Sequence, residues 1–144
     1  MLIGEYIHTL DSKNRLSLPA KFRKEIGKEI VITRGLDSCL FMFPHSTWKK
    51  IAEKVSSLPF GQSDTRGISR FLLSGASEIE VDQAGRILLP EYLKHFAKLQ
   101  TQVVLAGVSD RVEIWNERNW EAYKRRIESG ADRMAQTLGD VGIL

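Results

Sequence analysis

Carboxylate and guanidinium side chains recur in this chain at one spacing: Asp11 with Arg15, and Asp82 with Arg86. In a tight turn an aspartate accepts hydrogen bonds from backbone N–H groups two or three residues on, so each Asp can close a loop with its side chain. The residue before each arginine is Asn14 in one case and Gly85 in the other. These are the residue types that best tolerate positive φ, which predicts a left-handed backbone position in both loops. That geometry aims Arg15 and Arg86 outward from a loop rim at the start of a strand. The planar guanidinium fork then suits a phosphate or a guanine edge, because it donates two parallel hydrogen bonds. The competing reading is that each Asp–Arg pair only pins its own turn, and the two readings are compatible. Ser12, Lys13 and Asn14 favour binding at the first loop, whereas Gln83 and Ala84 make the second less basic, so Arg86 is expected to contribute less than Arg15.

Other chemistries find less support. Two aspartates at equivalent places suggest an acid dyad, in which one carboxyl holds a proton at the other's expense. However, no glycine stands two after either Asp, and the nearby arginines favour two ionised carboxylates. His8, His45, His95 and Cys39 show no ligand spacing, and no phosphate-cradling glycine loop occurs, so no catalytic residue, metal or cofactor is expected. His8 reads as a structural histidine that supports the loop. Cys39, in the run Cys39-Leu-Phe-Met-Phe43, reads as a small buried hydrophobe in a reducing compartment. No apolar stretch approaches the roughly 18 residues of a bilayer span, and the N-terminus has no basic region ahead of an apolar one, so a cytoplasmic protein is expected.

The recurrence extends beyond the loops. Asp11-Ser-Lys-Asn-Arg15-Leu-Ser-Leu-Pro19 matches Asp82-Gln-Ala-Gly-Arg86-Ile-Leu-Leu-Pro90 at an offset of 71 residues, and Gly35 and Trp48 match Gly107 and Trp120 at an offset of 72. A repeat of this length predicts two copies of one unit that bury their apolar faces against each other. Each copy reads as strand, loop, strand, short helix, hairpin and longer helix. In the first, Tyr6 to Leu10 is a strand, Pro19 opens a helix that Gly27 stops, Glu29 to Thr33 and Cys39 to Phe43 form the hairpin, and a helix follows from about Ser46. Asp64 or Thr65 is expected to cap a linker helix ending at Gly75, and the tail after Gly139 is expected to fray. Residues 1–72 hold 12 Lys or Arg against 7 Asp or Glu, whereas residues 73–144 hold 9 against 11. The basic excess gathers at Lys13, Arg15, Lys21, Arg23, Lys24 and Lys28. It suits an anionic partner, nucleic acid first, with a merely solvated helix face as the bland alternative.

Taken together these residues resemble the MraZ family of bacterial transcriptional regulators, built from two SpoVT-AbrB type swapped-hairpin units. The likeness rests on Gly4-Glu-Tyr6, His8, Leu10-Asp11, Lys13, Arg15, Thr33-Arg-Gly35, Arg70, Ser74-Gly-Ala76, Asp82, Gly85-Arg86-Ile87, Pro90 and Glu113-Ile-Trp115. Asn14 departs from the glycine usual in the family's first loop, but asparagine adopts the same backbone. The resemblance implies a mainly β fold with short helices (α+β), in which strands of the two halves interleave into a pseudo-twofold barrel. It divides the chain into a first repeat at 5–47, a helical linker at 48–75, a second repeat at 76–119 and a C-terminal helix and tail at 120–144. It further implies ring-shaped homo-oligomers in the cytoplasm, associated with the nucleoid. The partner is double-stranded DNA carrying repeated promoter boxes of the division and cell wall gene cluster, usually repressed along with the regulator's own gene, and no small-molecule substrate or membrane is involved. The expected DNA contacts are Arg15, Lys13, Asn14, Arg86, Lys21 and Arg23, with Asp11, Asp82 and Gly85 shaping the loops. A non-catalytic interaction module of the antitoxin kind is the alternative. Such antitoxins usually carry one repeat and a disordered tail, whereas here a second repeat takes the tail's place.

Overall fold

The computed structural model describes all 144 residues. The chain runs through β1 (Leu2–Thr9), β2 (Arg15–Ser17), α1 (Ala20–Ile26), β3 (Glu29–Arg34), β4 (Leu40–Pro44), α2 (His45–Ser56), α3 (Ser63–Ser74), β5 (Ser77–Glu80), β6 (Arg86–Leu88), α4 (Glu91–Phe96), β7 (Gln102–Ser109), β8 (Val112–Asn116) and α5 (Glu117–Asp140). The duplication is visible in this order: β1, β2, α1, β3, β4 and α2 recur as β5, β6, α4, β7, β8 and α5, and α3 alone has no counterpart.

The two copies exchange strands. A six-stranded antiparallel sheet has the order β1-β7-β8-β4-β3-β5, so β1 of the first copy pairs with β7 of the second, and β5 of the second pairs with β3 of the first. The short β2 and β6 pair with each other in a separate two-stranded ribbon. The expected interleaving and the α+β class are both present, with the eight strands divided six and two. The ribbon stays short because each of its strands begins at a tight loop and ends before a proline, Pro19 or Pro90, that starts a helix. Neither copy could bury its apolar residues alone. One core cluster of 19 buried residues draws on both, with Leu16, Leu18, Phe22, Ile30 and Ile32 from the first meeting Ile87, Leu89, Leu93, Leu105 and Ile114 from the second. Phe22 is fully buried and meets the ring of Tyr6 edge-on at 5.1 Å.

Strand β1 starts earlier than the Tyr6–Leu10 stretch because β7 offers a partner along its whole length, from Leu2↔Ser109 to Thr9↔Gln102. The outer face of the sheet is covered unequally. On the first half, α2 and α3 both pack down. Thr33, buried on β3, donates its hydroxyl to the Leu72 carbonyl at 2.6 Å, and the Arg34 guanidinium donates to the Phe71 carbonyl at 2.8 Å while lying 4.8 Å over the Phe71 ring. A cation on the last carbonyls of a helix satisfies orphan acceptors and complements the helix dipole. On the second half, α5 alone covers the sheet, through the rings of Trp120 and Tyr123 packed at a tilt against Trp115 and through the Trp120 indole N–H donating to Glu5 at 2.7 Å.

Two local expectations need correction. Neither Asp64 nor Thr65 caps α3; Gln62 holds the cap position without a side-chain hydrogen bond, and Thr65 donates its hydroxyl back to the Gln62 carbonyl at 3.0 Å. The tail does not fray at Gly139. Helix α5 continues to Asp140, and the amides of Ile143 and Leu144 fold back onto the Leu138 carbonyl at 2.9 and 3.3 Å, because a turn at Gly142 with φ of 76° reverses the chain.

Candidate nucleic-acid interface

Both repeated loops adopt one geometry. In the first, a single carboxylate oxygen of Asp11 accepts from the backbone N–H groups of Lys13 and Arg15, each at 2.9 Å, and the other accepts from Arg15 Nε at 2.7 Å. In the second, Asp82 accepts from the backbone N–H groups of Ala84 and Arg86 at 2.9 Å and from Arg86 Nε at 3.0 Å. Asn14 and Gly85 have φ values of 62° and 78°, the left-handed positions that the sequence called for. The backbone N–H groups of Arg15 and Arg86 are the first cause of carboxyl pKa values held below the ordinary range at Asp11 and Asp82, reinforced by the guanidiniums. Both carboxylates are therefore ionised at neutral pH, and neither resembles a proton-sharing acid.

At each arginine the ion pair that pins the turn leaves part of the guanidinium unengaged. Only Nε is held by the aspartate; the terminal nitrogens of Arg15 and Arg86 have no protein partner, and each side chain is 39% exposed. Orientation by a carboxylate leaves the fork's outer edge free and fixes its direction.

The pairing of β2 with β6 places the two loops at opposite ends of one ribbon. Arg15 lies across from Leu88, Leu16 from Ile87 and Ser17 from Arg86. The amide of Leu18 extends the pairing to the Gly85 carbonyl at 2.9 Å, and that of Leu89 to the Asn14 carbonyl at 2.8 Å. Because side chains alternate along a strand, Leu16 and Ile87 point inward, where they are 0% and 1% exposed, and Arg15, Ser17, Arg86 and Leu88 share the outer face. Arg15 and Arg86 are thus diagonal neighbours, with α-carbons about 7–8 Å apart. His8 supports this ribbon from β1, its Nδ1 donating to the Ser17 carbonyl at 2.5 Å.

The helices beside the loops are crossed between the copies, which the sequence reading did not anticipate. Arg23, on α1 of the first copy, reaches the second loop, where its Nη1 donates to the Ala84 carbonyl at 3.4 Å. Gly85 is held so close that an added β-carbon would sit 2.1 Å from Arg23 Nη1. Lys94, on α4 of the second copy, reaches the first loop and donates to the Asn14 side-chain oxygen at 3.0 Å, while Asn14 Nδ2 donates to Glu91 at 2.6 Å. Arg23 and Lys94 are equivalents at the repeat offset of 71, the signal that could have paired them. The second loop, poor in cations of its own, is supplied by the other copy: Arg23 and Lys28 line a shallow cleft with Asp82, Gln83 and Gly85. Lys13, Lys21 and Lys24 are exposed, the first on its loop and the others on α1. No cluster of three or more His, Cys, Asp or Glu side chains is positioned to hold a metal ion. Cys39 is fully buried in a small cluster with Val104 and Trp115, and burial pushes its thiol pKa up, far from a reactive thiolate. No helix is long and apolar enough to cross a membrane.

The family model described as "MraZ protein, putative antitoxin-like" matches this chain twice, at residues 1–71 and 72–140. The chain belongs to the MraZ family. It is 50% identical over 143 residues to the transcriptional regulator MraZ of Natranaerobius thermophilus, covering 99% of this chain and 100% of that protein. The MraZ regulators of Desulforamulus reducens and Caldanaerobacter subterraneus subsp. tengcongensis are 45% and 46% identical over 141 and 143 residues. The first of these comparisons covers 98% of this chain and 99% of the relative, the second 99% and 100%. The break between the two matches falls inside α3, so the family's repeating unit coincides with the strand-exchanging unit of the fold.

Proposed function

We propose that this chain is a transcriptional regulator that binds double-stranded DNA through the outer face of the β2–β6 ribbon. The reading rests on one observation: two arginines, each oriented by its own aspartate, stand as diagonal neighbours on an exposed two-stranded ribbon with their terminal nitrogens free. A major groove admits such a ribbon, and a guanidinium fork matches guanine O6 and N7 or a phosphate. Lys13, Asn14, Lys21 and Arg23 surround the ribbon as further contacts, and Lys94 joins them from the second copy. Arg23 adds a cation beside the second loop as Lys94 does beside the first, so Arg86, on the less basic loop, still carries the smaller share.

A bidentate base contact discriminates by roughly 1–3 kcal/mol, too little for promoter selectivity from one chain. Linking several chains makes later contacts intramolecular, and avidity then exceeds single-site affinity by roughly 100-fold to 10,000-fold. A homo-oligomeric ring reading repeated boxes meets that need. The exposed apolar residues Ile3 and Ile7 of β1 and Val108 of β7, left uncovered where α3 has no counterpart, supply surface for subunit contact. The target in this reading is the promoter of the division and cell wall gene cluster together with the chain's own gene, repressed in the nucleoid. Binding to DNA from upstream of that gene, compared with scrambled DNA of equal length and combined with native mass on the same sample, tests it. Preference for the upstream DNA, with affinity falling at a slope of about −0.9 per phosphate engaged, is expected; equal binding to both DNAs would remove it.

The family description's antitoxin wording supports a second reading, a module that neutralises a protein partner. A partner copurifying in stoichiometric amount would favour it over DNA binding.

A further inference from the structure

Of the four side chains on the ribbon's outer face, three are polar or charged and the fourth is Leu88, which is 63% exposed. Its neighbours Ile87 and Leu89 are each 1% exposed and belong to the core cluster, so Leu88 is not needed to fill the interior. At the repeat offset its counterpart is Ser17, the polar residue that an outward strand position ordinarily carries. Leu88 also lies directly across from Arg15, which puts the two β-carbons about 4.5–5.5 Å apart. The ribbon therefore has two unlike ends: arginine beside leucine at one, arginine beside serine at the other.

We infer that Leu88 is a specificity-determining residue that reads the C5-methyl group of a thymine beside the base held by Arg15. The inference rests on the DNA-binding reading of the ribbon and adds a base to it. Phosphates and sugars offer nothing apolar at the floor of a major groove; the thymine methyl is the apolar group displayed there. With the ribbon in the groove, a leucine held beside a guanidinium fork is removed from water against that methyl. Ser17, beside Arg86, bonds acceptors and donors alike, so the other end tolerates several bases. The sequence read by one chain is consequently lopsided, although the protein surface that reads it is pseudo-twofold.

The test uses the full chain, DNA from upstream of its own gene, and the same fragment synthesised with deoxyuridine in place of thymidine, which removes every C5-methyl and keeps the pairing. The wild-type chain is expected to bind the uracil fragment about fourfold more weakly per thymine read, the factor for one buried methyl-sized group. Leu88→Ala and Leu88→Ser are expected to bind both fragments alike, near the wild-type level on uracil DNA, with unchanged native mass. Wild-type binding that ignores the substitution overturns the inference and leaves the DNA-binding reading standing. Leu88 variants that lose affinity equally on both fragments, or that change the assembly mass, also overturn it, since Leu88 would then act in folding or subunit contact. Failure of the wild-type chain to prefer upstream DNA at all overturns both.

Discussion

Lys94 donates a 3.0 Å hydrogen bond to the side-chain oxygen of Asn14, so a residue of the second repeat holds the tip of the first repeat's loop. Arg23 does the corresponding service for the second loop. Each loop is a composite of both copies, and its geometry depends on the strand exchange that creates the fold.

Asn14 has two roles that substitution separates. Asn14→Gly keeps the positive φ and removes the tie to Lys94 and Glu91, so stability should change by no more than about 0.5–1 kcal/mol, the scale of an exposed polar contact. Asn14→Ala removes the same tie but keeps a β-carbon in the left-handed region without the local hydrogen bonding that makes asparagine tolerable there, and should cost more, up to roughly 1–2 kcal/mol. Urea unfolding with unchanged slope distinguishes the two.

Gly85→Ala meets two obstacles, a φ of 78° and the Arg23 guanidinium at 2.1 Å. The backbone cost is again roughly 1–2 kcal/mol, and Arg23 must swing away. DNA affinity should fall by about as much in Gly85→Ala as in Arg23→Ala, and the double variant should be no worse than either single one. Additive losses in a binding cycle would separate the two residues.

The loops were legible in the sequence because their chemistry is local. An aspartate, a residue tolerant of positive φ and an arginine within five positions dictate one turn, and the structure has that turn twice. The strand boundaries of the first hairpin were legible to within a residue for the same reason, from alternation bounded by turn residues, whereas β7 runs on to Ser109, past the Val103–Leu105 stretch that its pattern marks as strand, because β1 pairs along its whole length. What pattern alone could not supply was long-range pairing. That β1 extends to Leu2 depends on β7, a hundred residues away, and that Arg23 lies beside the second loop depends on how the copies exchange strands. The cap of α3 was misread because Thr65 turns its hydroxyl back to a carbonyl of the preceding turn, an option open to any threonine near a helix start.

Leu16, fully buried beneath the ribbon, ties the ribbon to the core. Leu16→Ala should destabilise the chain by about 2–5 kcal/mol. Thermal or urea unfolding measures this, and amide exchange should rise first at Arg15 to Ser17 and Arg86 to Leu88.

Acid should loosen both loops together. The carboxyls of Asp11 and Asp82 have native pKa values below the ordinary value of 3.8, chiefly through backbone N–H groups, so the stability they contribute is full above the unfolded value. It is lost as pH falls through the native values, that is, below about pH 4. The stability difference between the wild-type chain and Asp11→Asn/Asp82→Asn should be flat from pH 7 to 5 and shrink below 4, and carboxyl NMR titration should give midpoints under 3.8 at both sites.

The most direct test of the ribbon as the DNA-reading surface is the affinity of Arg15→Ala, Arg86→Ala and the double variant for DNA from upstream of the chain's own gene, at fixed salt and with native mass monitored. Each single variant should lose roughly 5-fold to 150-fold, from a bidentate contact of roughly 1–3 kcal/mol, the double variant should fall to the level seen with scrambled DNA, and assembly should be intact. Wild-type affinity in the double variant would contradict the account at its centre.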